Sequence, residues 1–432
     1  MKNFQIIILI VFIVSAVFGI LVFSGAINIG GSSNSSGSLG TVVLWGTVKT
    51  QDMASALEDF NKANPTLTVK YVQKSSTTFD QDLLEALASG SGPDMFFLPD
   101  NLAFHYANKI YTIPYASYPL ATFKSTFASA GEVFLTSKGI LAFPIMIDPL
   151  VMYYNRSMLD ANSIVAPPSS WSELQNLIPA LNKKDENGKI IKSAVALGHF
   201  SNVLNAKSIL SALFMQVGNN IISEKNGSFY SVLGDTVGAS LGNINSALLF
   251  YTSFADPAKD IYSWNRSFPN SKDFFSANNL AFYFGYASEL KSLINKNPNL
   301  DFTVAPLPQI KNANFKLTSA QMTGIAVSAF SKNLTTAVTA ASLMAQGDFA
   351  EKLSSILLIP PARRTLLAVR QTDAFFPTFY SSALYAKGWL DPSSKDSDNI
   401  FRTMVENVLS GSMSVENSIR DASAKLSLLL NR

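Results

Sequence analysis

ALASGSGPDMFFLPD, Ala86 to Asp100, is the stretch on which the fold turns. An alanine- and leucine-rich helix end runs into Ser89-Gly90-Ser91-Gly92-Pro93, five residues that cannot continue it. Met95-Phe96-Phe97-Leu98 then reads as a short strand buried on both faces, and Asp100-Asn101 follow at its carboxyl end. Upstream, Thr41–Trp45 (TVVLW) is an apolar, β-branched strand. Met53, Ala56, Leu57, Phe60 and Ala63 recur at helical spacing, and Asn64-Pro65 ends their helix. Leu67–Gln73 alternates as a strand, and Phe79, Leu83, Leu84 and Leu87 mark a second helix. Strand, helix, strand, helix, strand with short links predicts an open parallel sheet. Such sheets bind ligands beyond the carboxyl ends of their strands, which puts the loops after Trp45 and Leu98 at a binding edge.

Downstream, Ile140–Asn155 is a long apolar β-prone stretch interrupted by Pro144 and Asp148-Pro149. Proline in the middle of such a stretch suggests a chain crossing between two lobes. Ser170-Trp171-Ser172-Glu173 has the pattern of a capping box, so Trp171 is expected to pack under a helix start. Ala180–Pro298 reads as mostly helical. Further crossings are expected near Pro306 and Pro360, a strand over Thr323–Ala329, a helix pair over Leu334–Leu358, and helix from there on.

Hydrophobic residues make up 47% of the chain and charged residues 15%, with a formal net charge of +3, which suits a packed body and leaves no basic footprint for nucleic acid. The absence of cysteine excludes disulfides, thiolate metal sites, cysteine nucleophiles and an acylated lipoprotein cysteine. Two histidines, His105 and His199, are too few for a histidine-based metal site, and no cofactor is expected. Phe4–Phe23 carries no charge; as a helix it is roughly 30 Å long, enough to span a bilayer. Residues 1–23 are therefore expected to be a transmembrane anchor, with a cleaved signal ending near Ser24-Gly25-Ala26 as the alternative. Residues 24–40 read as a flexible Gly/Ser/Asn linker, and Lys2 favours a cytoplasmic N-terminus with the body outside.

The body resembles the extracellular solute-binding proteins of ABC importers, specifically the carbohydrate-type family that includes maltose-binding protein. The resemblance is carried in order by NKANPTLTVKY (Asn61–Tyr71), ALASGSGPDMFFLPD (Ala86–Asp100), FPIMIDPLVMYYNRSML (Phe143–Leu159), PPSSWSEL (Pro167–Leu174), ANNLAFYFGYASEL (Ala277–Leu290), VAPLPQ (Val304–Gln309) and IPPARRTLL (Ile359–Leu367). Two departures stand out: no lipoprotein cysteine, and Asn278-Asn279-Leu280 where the family has Gly-Lys-Ala. The resemblance implies a two-lobed α/β periplasmic-binding-protein fold of type II, each lobe a sheet flanked by helices. One lobe is expected from residues 41–147 with 309–357, the other from 148–308 with 358–432.

Sugar recognition needs flat apolar surfaces and polar groups for hydroxyls. The resemblance implies a cleft lined by Trp45 with Lys49, by Asp148, by Tyr286 at the end of a strand, and by Arg363. Asp100 and Asn101 join them from their strand end, and Trp264 from the polar loop Tyr262–Arg266, which has no helical or strand period. Asp148, set among apolar residues, must face a cleft or be paired, since burying a lone carboxylate is costly. The alternative for Asp148 is a hinge-stabilising hydrogen bond; for Trp45 and Trp264, core packing; for Asp100, a turn; for Arg363, solvation. No enzymatic activity is expected. The expected function is capture of a small solute, a sugar or oligosaccharide, and delivery to ABC permease subunits. A surface sensor of the same fold is the runner-up, and a glycoside hydrolase, which needs a carboxylate pair about 5–10 Å apart, the third reading.

Overall fold

The computed structural model describes residues 39–225, 227–234 and 244–431. The anchor expected over Phe4–Phe23 and most of the linker lie outside them. Among the described residues no helix is long and apolar enough to cross a membrane. The chain forms two compact units.

The smaller unit draws on residues up to Phe97, Lys109–Tyr111 and Ala326–Phe349. Its sheet uses β1 (Gly40–Gly46), β2 (Leu67–Gln73) and the start of β3 (Met95–Pro99). β1 is central and parallel to both neighbours, with Val42 opposite Val69 and Trp45 opposite Phe96. Between the strands run α1 (Thr50–Ala63) and α2 (Phe79–Ala88), whose buried faces are Met53, Ala56 and Phe60 and Phe79, Leu83 and Leu87. The Gly-Pro-Asp turn has a structural reason. The Asp94 carboxylate accepts hydrogen bonds from Val43 N (2.9 Å) and Ser331 Oγ (2.6 Å), tying the turn before β3 to β1 and to a segment 237 residues away.

The larger unit holds Leu98–Asn108, Thr112–Ile325 and Ala350–Arg432. Its centre is β4 (Ala142–Asn155), buried almost throughout. The expected break at Pro144 and Pro149 does not occur, and β4 runs through both. Beside them Ile147 N donates to Pro360 O and Ala362 N to Ile145 O, so neither proline is asked for an N–H in this pairing. β5 (Ile190–Val195) corrects the expectation of a mostly helical stretch there; it pairs parallel with β6 (Leu280–Tyr286), whose seven residues are all buried. β6 and β7 (Phe302–Ala305) both run antiparallel to β4, and β8 (Thr318–Val327) lies beside β4.

Helices α3 (Asp100–Tyr106), α4 (Trp171–Leu181), α5 (Ala206–Gln216), α6 (Ile244–Ser253) and α7 (Ser271–Ser276) follow in this unit. The smaller unit then has α8 (Leu334–Gln346), and α9 is Asp348–Leu357. The chain closes with α10 (Phe376–Leu384), α11 (Ser394–Ser410) and α12 (Val415–Leu430). At α4 the Ser170 hydroxyl caps Glu173 N, but the Glu173 carboxylate reaches Ser169 N (2.8 Å), one residue before a standard capping box. Trp171 is buried, its Nε1 donating to Gln216 Oε1 at 2.7 Å. Asn278, where the resembling family has glycine, takes φ +63°, a left-handed conformation that asparagine tolerates best after glycine.

Candidate functional site

Asp148 lies two residues before Leu150, which faces Tyr286 across the β4–β6 pairing. That register carries the carboxylate past the end of β6, to the turn Ala287–Glu289. Its Oδ1 accepts Ser288 N at 3.0 Å, so the group is both 9% exposed and tied to the backbone. Burial pushes its pKa up to about 7, opposed by hydrogen bonds from Ser288, with the neighbouring Glu289 raising it further.

Tyr286 ends β6, 5% exposed, with its hydroxyl 2.5 Å from Ser208 Oγ on α5. Burial raises its phenol pKa, and the charges of Asp100, Asp148 and Glu289 all act on it, which brings these residues into one electrostatic neighbourhood. Glu289 itself accepts Tyr283 Oη (2.6 Å), Asn205 Nδ2 (2.8 Å) and Tyr286 N (3.0 Å), and pairs with Lys272 at 3.0 Å.

Asp100 begins α3 at the carboxyl end of β3. It accepts Asn101 N (2.8 Å) and Met322 N (2.9 Å); burial nonetheless pushes its pKa up to about 7. Asp391 raises and Lys207 lowers that value. Those two form a nearly enclosed ion pair at 2.8 Å, with Lys207 Nζ also donating to Ser394 O and Ser397 Oγ. Asp100 and Asp148 thus both lie within electrostatic range of Tyr286, which bonds Ser208, while Ser288 bonds Asp148 and the Lys207–Asp391 pair acts on Asp100. No signal in the sequence points to Lys207 or Asp391, because 184 residues separate them.

The other expected residues are placed differently. Asn101 is half-buried and contributes its backbone N–H to Asp100. Arg363 is half-buried at the start of the short helix Arg364–Leu367, bridging to Phe127. Trp264 has no exposed surface; Phe268 and Phe274 meet its ring edge-on, and its Nε1 donates to Asn202 Oδ1 at 3.0 Å. It therefore has no face on which a sugar ring can stack, and the core-packing alternative accounts for it. In the smaller unit Trp45 is half-buried with the Lys74 ammonium 3.7 Å from its ring centroid, and Lys49 is exposed just before α1. Among the described residues no group of three or more His, Cys, Asp or Glu side chains is arranged to hold a metal ion.

A family model described as "Bacterial extracellular solute-binding protein" matches residues 46–345. The chain belongs to this family. The solute-binding protein has the two-lobed α/β fold seen in solved relatives. A cyclo/maltodextrin-binding protein complexed with maltotetraose has a TM-score of 0.73 at 15% identity, over 91% of this chain and 98% of that one. The sugar-binding protein MalE from Xanthomonas citri has 0.70 at 16%, over 90% and 97%. An ABC substrate-binding protein from Listeria monocytogenes, in complex with cycloalternan, has 0.66 at 16%, over 91% and 99%. A comparison of the solute-binding protein's sequence with curated proteins finds no match.

The two raised carboxyls set a pH dependence. Asp100 and Asp148 have folded pKa values of about 7 against an ordinary 3.8, so between these values the native state holds protons that the unfolded state has lost. Their stabilising contribution is present below pH 3.8 and is lost as pH rises towards 7. His199, pushed by burial down to about 4 from 6.5, acts oppositely: it adds stability as pH rises from 4 to 6.5. Two groups against one leave a net decline. Melting temperature at pH 8 is expected to lie below that at pH 5.5, measured by calorimetry at constant ionic strength. A rise over that interval would show that Asp100 and Asp148 are ionised in the native state.

Proposed function

We propose that this solute-binding protein captures a sugar or oligosaccharide by hinge closure and delivers it to ABC permease subunits, acting by binding and not by catalysis. The observation that carries the reading is the polar cluster of buried Asp148 and Tyr286 with half-buried Asp100 and Ser208, in a chain of this family. Carboxylates accept hydrogen bonds from sugar hydroxyls, and the flat face of an aromatic ring packs against a pyranose. Three similar folds carry maltotetraose, cycloalternan and mannotriose in their structures' descriptions. The lobes we assign to this action are residues 41–147 with 309–357 and 148–308 with 358–432, a division by hinge position rather than by compactness. We assign Phe4–Phe23 as the tether that holds the body on the extracytoplasmic side.

A thermal-shift screen against sugars and polyols tests the reading. A ligand at 100 times its Kd is expected to add about 2.7 kcal/mol of stability. The sugar should be recovered unchanged after incubation. No shift across mono- and oligosaccharides, with a shift for another solute class, would overturn the sugar assignment while leaving the family intact.

A further inference from the structure

We infer that the larger unit carries a second ligand site, away from the cluster around Asp148, that takes a small organic anion with an apolar or aromatic body. The site is a cavity of about 510 Å³ where the end of α5, the start of β8 and the short strand Ala386–Lys387 meet. Its volume falls in the range of roughly 300–1,000 Å³ usual for small-molecule sites. None of the residues that line it has a role in the capture site proposed above.

The chain builds this cavity for local reasons. Helix α5 stops because Gly218 takes φ +87°, and a Cβ there would meet nothing within 4 Å. Its last turn is closed by Val217 N to Leu213 O, Asn219 N to Phe214 O and Gly218 N to Met215 O. Those bonds satisfy three of the terminal carbonyls of α5. Thr318 and Ser319 pair with Ala386 and Lys387, which fixes the far wall.

The lining combines two kinds of group. Met215, Leu317 and Ala386 are buried, Tyr385 is half-buried, and Phe315 is 41% exposed, an aromatic with open surface at the cavity. Lys316 and Lys387 flank these residues, and no carboxylate lines the space. Among the described residues neither lysine has an ion-pair or hydrogen-bond partner for its ammonium. Two unpaired ammoniums beside an apolar and aromatic lining favour a carboxylate on an apolar body. A free cation would meet like charge, and a neutral polyol, though it could reach Ser129, Asn220 and Tyr385 in the lining, would leave both ammoniums uncompensated.

The test uses the full chain labelled with 13C at the methionine methyls, with the Met215 signal assigned through Met215→Leu. Phenylacetate is titrated as the probe, with phenylacetamide as its uncharged counterpart. The Met215 methyl is expected to shift saturably with phenylacetate at millimolar concentration or below. Phenylacetamide is expected to bind roughly 3- to 10-fold more weakly, the scale of two solvent-exposed charge contacts. The double substitution Lys316→Gln with Lys387→Gln is expected to abolish that preference, with the other methionine signals unmoved. Absence of a saturable shift at Met215, or equal binding of acid and amide to the parent chain, would overturn the proposal.

Discussion

Replacing Lys207 by alanine is expected to destabilise the protein by about 3–5 kcal/mol, the usual cost of leaving a buried charge unpaired. The Lys207 side chain is 16% exposed and its partner Asp391 9% exposed, so solvent cannot take over the lost contact. Lys207 also donates to Ser394 O (3.1 Å) and Ser397 Oγ (3.0 Å) in the first turn of α11, tying α5 to that helix. Urea denaturation is the measurement, with the midpoint falling at unchanged slope. Substituting Lys207→Met together with Asp391→Leu should recover most of the loss, because the penalty comes from the uncompensated carboxylate. If Lys207→Ala unfolds within about 1 kcal/mol of the parent, the pair is solvated in solution and the enclosed geometry does not hold.

Asp148→Ala is expected to weaken sugar binding by roughly 10- to 150-fold, on the proposed function. A hydrogen bond to a charged group is worth about 1.5–3 kcal/mol where water is excluded, and each 1.4 kcal/mol is tenfold in affinity. The same carboxylate accepts Ser288 N, so some of the effect could arise from a loosened turn at Ala287–Glu289. Asp148→Asn separates the two. It keeps one oxygen to accept Ser288 N but replaces the other by an NH2 donor and removes the charge, so the turn persists while affinity falls. It also removes one of the two groups that make the native state less stable as pH rises, so its melting temperature should decline less between pH 5.5 and 8. Titration calorimetry at pH 8, where Asp148 is ionised, with the sugar found by thermal shift, reads both variants. Affinity unchanged in Asp148→Ala would remove Asp148 from the capture site.

Much of the architecture was legible because its signals are local. The strand at Leu67–Gln73 has the limits its alternation predicts, and the Gly-Pro turn before β3 ends α2 where expected. β5 was missed because Ile190–Val195 is short and carries Lys192 and Ser193, which weaken an apolar run. Pro144 and Pro149 misled because proline interrupts a strand only where an N–H is demanded, and a partner's demand cannot be read from one segment. At the candidate site, Asp148 and Tyr286 were legible from apolar flanks and a strand end. Lys207 and Asp391 were not, since only tertiary structure brings them within 2.8 Å. Trp264 reads as an open loop aromatic because Tyr262–Arg266 has no strand or helix period of its own; the rings that cover it, Phe268 and, on α7, Phe274, are brought over it only by the tertiary fold.

The smaller unit is assembled from segments at a great distance along the chain, and this has a consequence for synthesis. β1, β2 and the first part of β3 leave the ribosome early, but α8, whose Ala337, Ala340, Ala341 and Met344 are buried in that unit, arrives more than two hundred residues later. Thr336 Oγ1 donates to Leu39 O and Ser331 Oγ to Asp94, so hydrogen-bond partners also come late. During that interval the early sheet has exposed apolar surface and an incomplete set of contacts. A polypeptide threaded outward from its N-terminus must keep those first strands from pairing with others until residue 349 has emerged, so its earliest-made part is among the last to be finished.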